Sequence, residues 1–186
     1  MSEGRHYIVS PGDCIATGMG HHQDFLLVSE PPDSHEQVVD MALAHDLNIL
    51  SEKPIADALE GPLRIAHKVK DAGKKMGVTM SHRFDQDKTT LRRLLRSGQY
   101  GSLDYLVCRF TCDCRKFGAW GRFRHEIADA LTVEGAVHHL DILADLAGAK
   151  CDTIYAQTWT PPWGDFAGDA QALVSMHFEN GARAIY

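Results

Sequence analysis

"NILSEKPIAD", Asn48 to Asp57, decides how the rest of the chain is read. The short strand "NIL" runs through Ser51 into Glu52, Lys53 and Pro54, and a polar helical stretch follows. A charged pair and a proline after a strand are ordinary strand-to-loop punctuation. They are also what stands at the rim of an α/β sheet, where ligands bind outside the carboxyl ends of parallel strands.

The flanking segments favour the rim. "HYIVS" (His6 to Ser10) reads as a short strand closed by the Pro11-Gly12 turn, and a weak helical segment, "DCIATGM", follows. "DFLLVS" (Asp24 to Ser29) is a continuous apolar run bounded by turn residues, as a strand buried on both faces should be. "PPDSHEQVVDMALAHDL" has Asp33 or Ser34 as N-cap and places Val38, Val39, Ala42 and Leu43 on one helical face. Beyond the opening stretch, Ile65, Val69, Ala72 and Met76 form a second helical stripe, with Pro62 tolerated in its first turn. "VTMSHRF" (Val78 to Phe84) is the next expected strand. Strands alternating with helices imply a parallel sheet.

After residue 84 the rhythm changes. "KTTLRRLLRSG" is a short helix ended by Gly98, and "SLDYLVCRFTC" alternates like a strand of a one-sided sheet. "TIYAQTW" and "ALVSMHFENGARAIY" continue the pattern, with Asn180-Gly181 as a hairpin turn. The expected fold is therefore α/β plus α+β. A partial parallel domain spans 1–84, and an open, mostly antiparallel sheet domain spans 85–186.

A net charge of -6 gives no general attraction to nucleic acid or to an anionic membrane. No apolar run approaches the roughly 18 residues of a membrane span, and "MSEGRHYIVS" lacks the apolar centre of a signal peptide. Five cysteines fit reduced thiols, and a cytoplasmic location, better than a disulfide scaffold. Cys108, Cys112 and Cys114 cluster, but no second paired motif completes a four-ligand zinc site, so no metal is expected.

"VEGAVHHLDILADLAG" carries the clearest chemistry. Ala136, Leu140, Leu143 and Ala147 are spaced to face a core, while Glu134, His138 and Asp141 share another face. A carboxylate one turn from an imidazole orients it and raises its basicity, which suits a general base near neutral pH. From spacing alone, a surface helix with an ordinary Glu–His pair is the favoured reading, and Lys53 alone is a solvated lysine at a strand end. In "DCRKFGAWGRFRHE", Trp120 is either an apolar wall of a substrate loop, with Arg124 or His125 reaching hydroxyls, or part of a loop that covers the sheet. Arg83, ending "MSHR", is a further candidate to face substrate.

"LLVSEPPDSH", then "ILSEKP", then "VEGAVHHLD", in that order and at those separations, resemble the glucose–fructose oxidoreductase / inositol dehydrogenase / MocA-like family over nearly the whole chain. The resemblance implies a Rossmann domain binding NAD or NADP, sugar or cyclitol-like polyol substrates, and a homo-oligomer assembled through the C-terminal sheet. It implies that Lys53 hydrogen-bonds the reacting hydroxyl and the nicotinamide ribose. His138 would take the hydroxyl proton, and Glu134 stands where many members carry an assisting aspartate. Ser29, Glu30, Pro31, His35 and Glu52 join Lys53 on the cofactor side; Arg83, Trp120, Arg124 and Asp141 are the substrate candidates. Glu30 replaces a small or hydroxyl residue common in the "PP..H" loop, and Glu134 is one methylene longer than aspartate.

The family's opening strand and G-x-G-x-x-G turn, whose following helix holds the pyrophosphate, do not precede "HYIVS". The expectation is a fragment of a longer protein, or a product shortened at both ends, binding NADH or NADPH no better than about millimolar by itself. "HYIVS" should then hang loose or pair beside "DFLLVS". The competing reading is a non-catalytic remnant that serves only binding or assembly. An in-frame strand and glycine-rich turn encoded upstream would discriminate between the two.

Overall fold

The computed structural model describes residues 8–9, 25–29, 31–113, 123–128 and 130–186. The expected weak helix at 13–19 lies outside them. The chain divides into two units, Met1–Thr79 and Met80–Tyr186. The division thus falls at 79/80, where the sequence reading set it at 84/85.

In the first unit, β1 (Ile8–Val9), β2 (Phe25–Val28), β3 (Asn48–Ser51) and β4 (Met76–Val78) form one sheet in the order β1-β2-β3-β4, with every pairing parallel. "HYIVS" thus takes the second of its two expected places, with Ile8 opposite Leu27 and Val9 opposite Val28. Helix α1 (His35–Ala44) connects β2 to β3, and α2 (Glu60–Asp71) connects β3 to β4. Leu26, Val28, Val38, Val39, Ala42, Ile49, Ile65 and Val69 belong to one buried core, which strands and helices build together. Each Val, Leu or Ile side chain among them contributes roughly 1.5–3 kcal/mol through burial. On the outside, Glu36 of α1 accepts from Arg64 and Lys68 of α2. Those two cations, Arg64 first, hold the Glu36 carboxyl down at about 2.

The stripe from Ile65 to Met76 is corrected beyond Val69. Helix α2 stops at Asp71 because Gly73 adopts a left-handed φ of 66°. Gly73 N–H donates to Lys70 O and Lys74 N–H to Val69 O, the paired bonds of a Schellman ending. Ala72 is the C-cap, and Met76 belongs to β4.

The strand expected at Val78 to Phe84 is also corrected. The strand is Met76–Val78, and Ser81–Phe84 forms a 3₁₀ turn. Strand β3 gives its last ladder bond when Thr79 N–H donates to Ser51 O, so nothing remains for later residues to pair with. Side chains capture the turn instead: Arg92 donates to Arg83 O at 2.8 Å.

In the second unit, α3 (Gln86–Arg96) leads to β5 (Tyr105–Val107), followed by the short α4 (Phe123–Glu126). A π turn (Leu131–Gly135) then enters α5 (Val137–Ala147). Strands β6 (Cys151–Trp159), β7 (Gln171–Phe178) and β8 (Arg183–Ile185) complete a sheet of order β5-β8-β7-β6. The sheet is mixed: β6-β7 and β7-β8 are antiparallel as expected, whereas β5 runs parallel to β8. Gly181, with φ of 88°, makes the expected turn after Asn180.

Along β7, Val174, Met176 and Phe178 turn inward with Leu143 and Ala147 of α5. The alternate residues face outward, and the ladder aligns Tyr155, Trp159, Ile185, Val107 and Tyr105 with that same face. Leu173, Tyr155 and Val107 are 49, 65 and 66% exposed there.

Candidate active site

Each unit holds one half of the candidate chemistry. In the first unit the carboxyl ends of β2 and β3 lie side by side, with Val28 opposite Ser51. Glu52 N–H donates to Val28 O at 2.8 Å, which carries the pairing one residue past the strand. Lys53 and Pro54 then turn off the rim through a cis peptide bond. Lys53 is half-buried, and its own N–H donates to the Glu52 carboxylate at 3.4 Å.

His35 fixes this loop from beneath. It is fully buried at the start of α1, and its Nδ1 lies 3.1 Å from Ile55 O and 3.5 Å from Ser51 Oγ. A carbonyl only accepts, so Nδ1 carries the proton and donates to Ile55. Of the residues expected on the cofactor side, His35 therefore holds the lysine loop from the core. Ser29 and Pro31 are exposed beyond β2, and Pro31 O accepts from Ser34. Glu30 lies outside the described residues.

Gly61 keeps the far side of the loop close to α2. A Cβ there would come within 2.5 Å of the Ala56 Cβ, so only glycine permits the approach.

In the second unit, α5 is buried on two faces, not laid on a surface. One face joins the core. The other carries His138, Asp141 and Asp145, at helical spacing, toward the 3₁₀ turn and α3. Asp141 accepts from both Nε and Nη2 of Arg83. Asp145 accepts from Arg92 at 2.6 Å and lies 3.5 Å from Arg96. His138, only 8% exposed, stacks on the ring of His82 with centroids 4.0 Å apart and planes inclined by 13°. The two substrate candidates Arg83 and Asp141 are thus engaged with each other.

Glu134 and His138 are not simple helical neighbours. The π turn intervenes, closed by Ala136 N–H donating to Leu131 O. Glu134 is 2% exposed, and its Oε1 accepts from Arg124 Nε at 2.7 Å. The Arg124 guanidinium is therefore turned to Glu134. Trp120 lies outside the described residues. His125 is buried, pairs with Asp165 at 3.0 Å and stacks on Phe166.

His139 is tilted against Phe110 and stacked on Tyr186. Burial, then the charges of His82 and Lys88, hold its pKa below the ordinary histidine range. Phe110 and Tyr186 also line a cavity of about 730 Å³ whose walls include Leu131, Trp159, Trp163 and Phe166. The sequence reading missed this cavity, along with His82, His139, Arg92 and Asp145. No group of three or more His, Cys, Asp or Glu side chains among the described residues is arranged to hold a metal ion.

Residues 15–81 match the oxidoreductase family with an NAD-binding Rossmann fold, and residues 89–186 match the GFO/IDH/MocA C-terminal domain. The chain belongs to the Gfo/Idh/MocA family. Among curated relatives of this family member, inositol 2-dehydrogenase of Corynebacterium glutamicum is 30% identical over 162 residues, 85% of this chain and 45% of the relative. The uncharacterized protein y4oX of Sinorhizobium fredii is 56% identical over 163 residues, 88% of this chain and 45% of the relative. The chain therefore spans about half the length of the curated relatives it matches. A solved oxidoreductase of Agrobacterium radiobacter, in complex with NAD+, L-tartaric acid and magnesium, shares the fold. Its TM-score is 0.80 at 24% identity, covering 94% of this chain and 50% of that one.

Proposed function

We propose that this chain carries the reacting residues of an NAD(P)-dependent oxidoreductase that transfers hydride between a cyclitol or sugar-like polyol and the nicotinamide. The observation that carries this reading is Lys53 at the carboxyl end of β3, on a loop held from the core by His35. The relatives named inositol 2-dehydrogenase support the polyol class.

The donor set suits the nicotinamide-ribose end of such a cofactor. An ammonium at Lys53, a carboxylate at Glu52 and a hydroxyl at Ser29 stand at adjacent strand ends. When bound, NAD(P)+ supplies the hydride acceptor. Lys53 donates a hydrogen bond to the reacting hydroxyl oxygen and stabilises the alkoxide character that develops there. His138 accepts the hydroxyl proton on its imidazole. Glu134, engaged with Arg124, fixes the start of the helix that carries this base.

The test is reduction of NAD+ and NADP+ by the full protein with myo-inositol, scyllo-inositol and glucose, followed by nicotinamide absorbance. Turnover with any of them supports the reading. Absence of turnover across a broad polyol panel, with either cofactor shown to bind, overturns it.

The outward face of the second sheet supports assembly. Val107, Leu173, Tyr155 and Trp159 form an exposed apolar patch across its strands. We infer that a second copy covers it, because one self-complementary face closes a two-fold dimer without leaving an edge open. Sedimentation should give a species larger than the monomer at micromolar concentration, and Leu173→Glu with Tyr155→Glu should return it to monomer. A wild-type monomer under those conditions would contradict the assignment. No helix among the described residues is long and apolar enough to cross a membrane. The free thiols of Cys108, Cys112 and Cys151 support the cytoplasm as its compartment.

A further inference from the structure

Arg83 is bound at two points to the helix that carries His138. Its guanidinium donates from Nε and Nη2 to the two oxygens of Asp141. Its carbonyl accepts from Arg92 at 2.8 Å, and Arg92 in turn donates to Asp145 at 2.6 Å. Asp141 and Asp145 stand one helical turn apart, on the face of α5 that also carries His138. One residue of the 3₁₀ turn is thus tied to that face by its side chain and by its backbone.

Polar contacts are what seat this turn. None of the residues of Ser81–Phe84 is buried, and Phe84 is 78% exposed, so the turn has no apolar anchor of its own. A single 3₁₀ turn also has little stability by itself. Yet His82, the residue before Arg83, lies with its ring nearly parallel to that of His138. Where that ring sits follows from where Arg83 is held.

We propose that Arg83 and Asp141 are positioning residues for His138 and not substrate contacts: their pair seats the 3₁₀ turn against α5 and so fixes the plane of the imidazole. The inference rests on reading His138 as the base. Nε and Nη2 of Arg83 are both spent on Asp141, and Nη1 lies 4.0 Å from Asp145. A planar fork engaged on both prongs by one carboxylate fixes a direction, which a single contact does not. Arg92 supplies the second point, without which the turn could swing about the Asp141 pair. The side chains of Arg92 and Asp145 are 18 and 11% exposed, so water competes little for that contact.

The test combines ring-proton NMR at one fixed pH with kinetics of the full protein. In the wild type, a nuclear Overhauser cross-peak should join the ring protons of His82 and His138. Its absence there overturns the proposal before any variant is made. Arg83→Gln and Asp141→Asn should each weaken or abolish the cross-peak. Each should lower kcat on the order of tenfold through misplacement of the base, with KM within about twofold of wild type. The double variant should be no slower than the worse single one, because both changes break one contact. A cross-peak of wild-type intensity in either folded variant overturns the proposal, as does an unchanged kcat where the cross-peak is lost. A raised KM in Arg83→Gln, with losses that add in the double variant, marks Arg83 as a substrate contact and overturns it too. Asp141→Asn keeps the shape of the side chain, so it carries the test by itself if the arginine variant does not fold. The cross-peak needs no turnover. If it is lost in the variants while the wild type turns over no polyol, the oxidoreductase reading fails and the positioning of the ring stands.

Discussion

Lys53→Ala is expected to lower kcat of the full protein by at least roughly a hundredfold, because it removes the cation that stabilises developing alkoxide charge. The loop itself should survive, since it is held by His35 and by the Glu52 N–H, neither of which needs the Lys53 side chain. His138→Ala should cost a comparable factor, partly recovered at high pH as hydroxide replaces the missing base. Alkaline recovery in the histidine variant and not in the lysine variant would separate proton removal from charge stabilisation. Near-normal turnover in either variant removes that residue from the mechanism.

Arg124→Ala should have the larger effect on stability. Glu134 is 2% exposed and Arg124 supplies its hydrogen-bonded cation, so removing the arginine leaves a buried carboxylate short of its partner. Such a loss costs about 3–5 kcal/mol. It should appear as a lower denaturation midpoint with an unchanged m-value. Adding Glu134→Gln removes the charge as well and should restore most of the midpoint, since the two changes act on one interaction and do not add. Equal and additive losses from the two substitutions would show that the pair does not work as a unit.

How much of this was legible in the sequence follows from how local each cause is. The strand rims were legible because "DFLLVS" and "ILSEKP" announce buried strands and their exits within a few residues. The inner face of α5 was legible for the same reason: Leu143 and Ala147 repeat at helical spacing. The opposite face was not. That Asp141 and Asp145 meet arginines depends on a turn and a helix some 53 to 58 residues earlier, which spacing within one helix does not report.

His82 was hidden by a misread element. "TMSHRF" has the residues of a strand, and only the early exit of β3 at Ser51 denies it a partner. The parallel β5–β8 pairing escaped for a related reason, since alternation along "DYLVC" states which residues face inward but not which way a neighbour runs. The ending of α2 was legible in principle, because "DAGKK" is a helix-stop pattern. The apolar Met76 beyond it drew the stripe too far.

The π turn before α5 has a consequence for how this segment tolerates changes in length. It already holds one residue more than an α-helical turn, so losing a residue there would relax it toward α geometry. The change would be taken up within the turn, so the segments on its two sides would keep their relative phase, and His138, Asp141 and Asp145 would stay in place. Loss of a residue between His139 and Ala144 would do the reverse, turning Asp145 away from Arg92 while leaving Glu134 on Arg124. The turn therefore acts as a phase joint: a residue lost within it is absorbed there, and one lost on its carboxyl side is not.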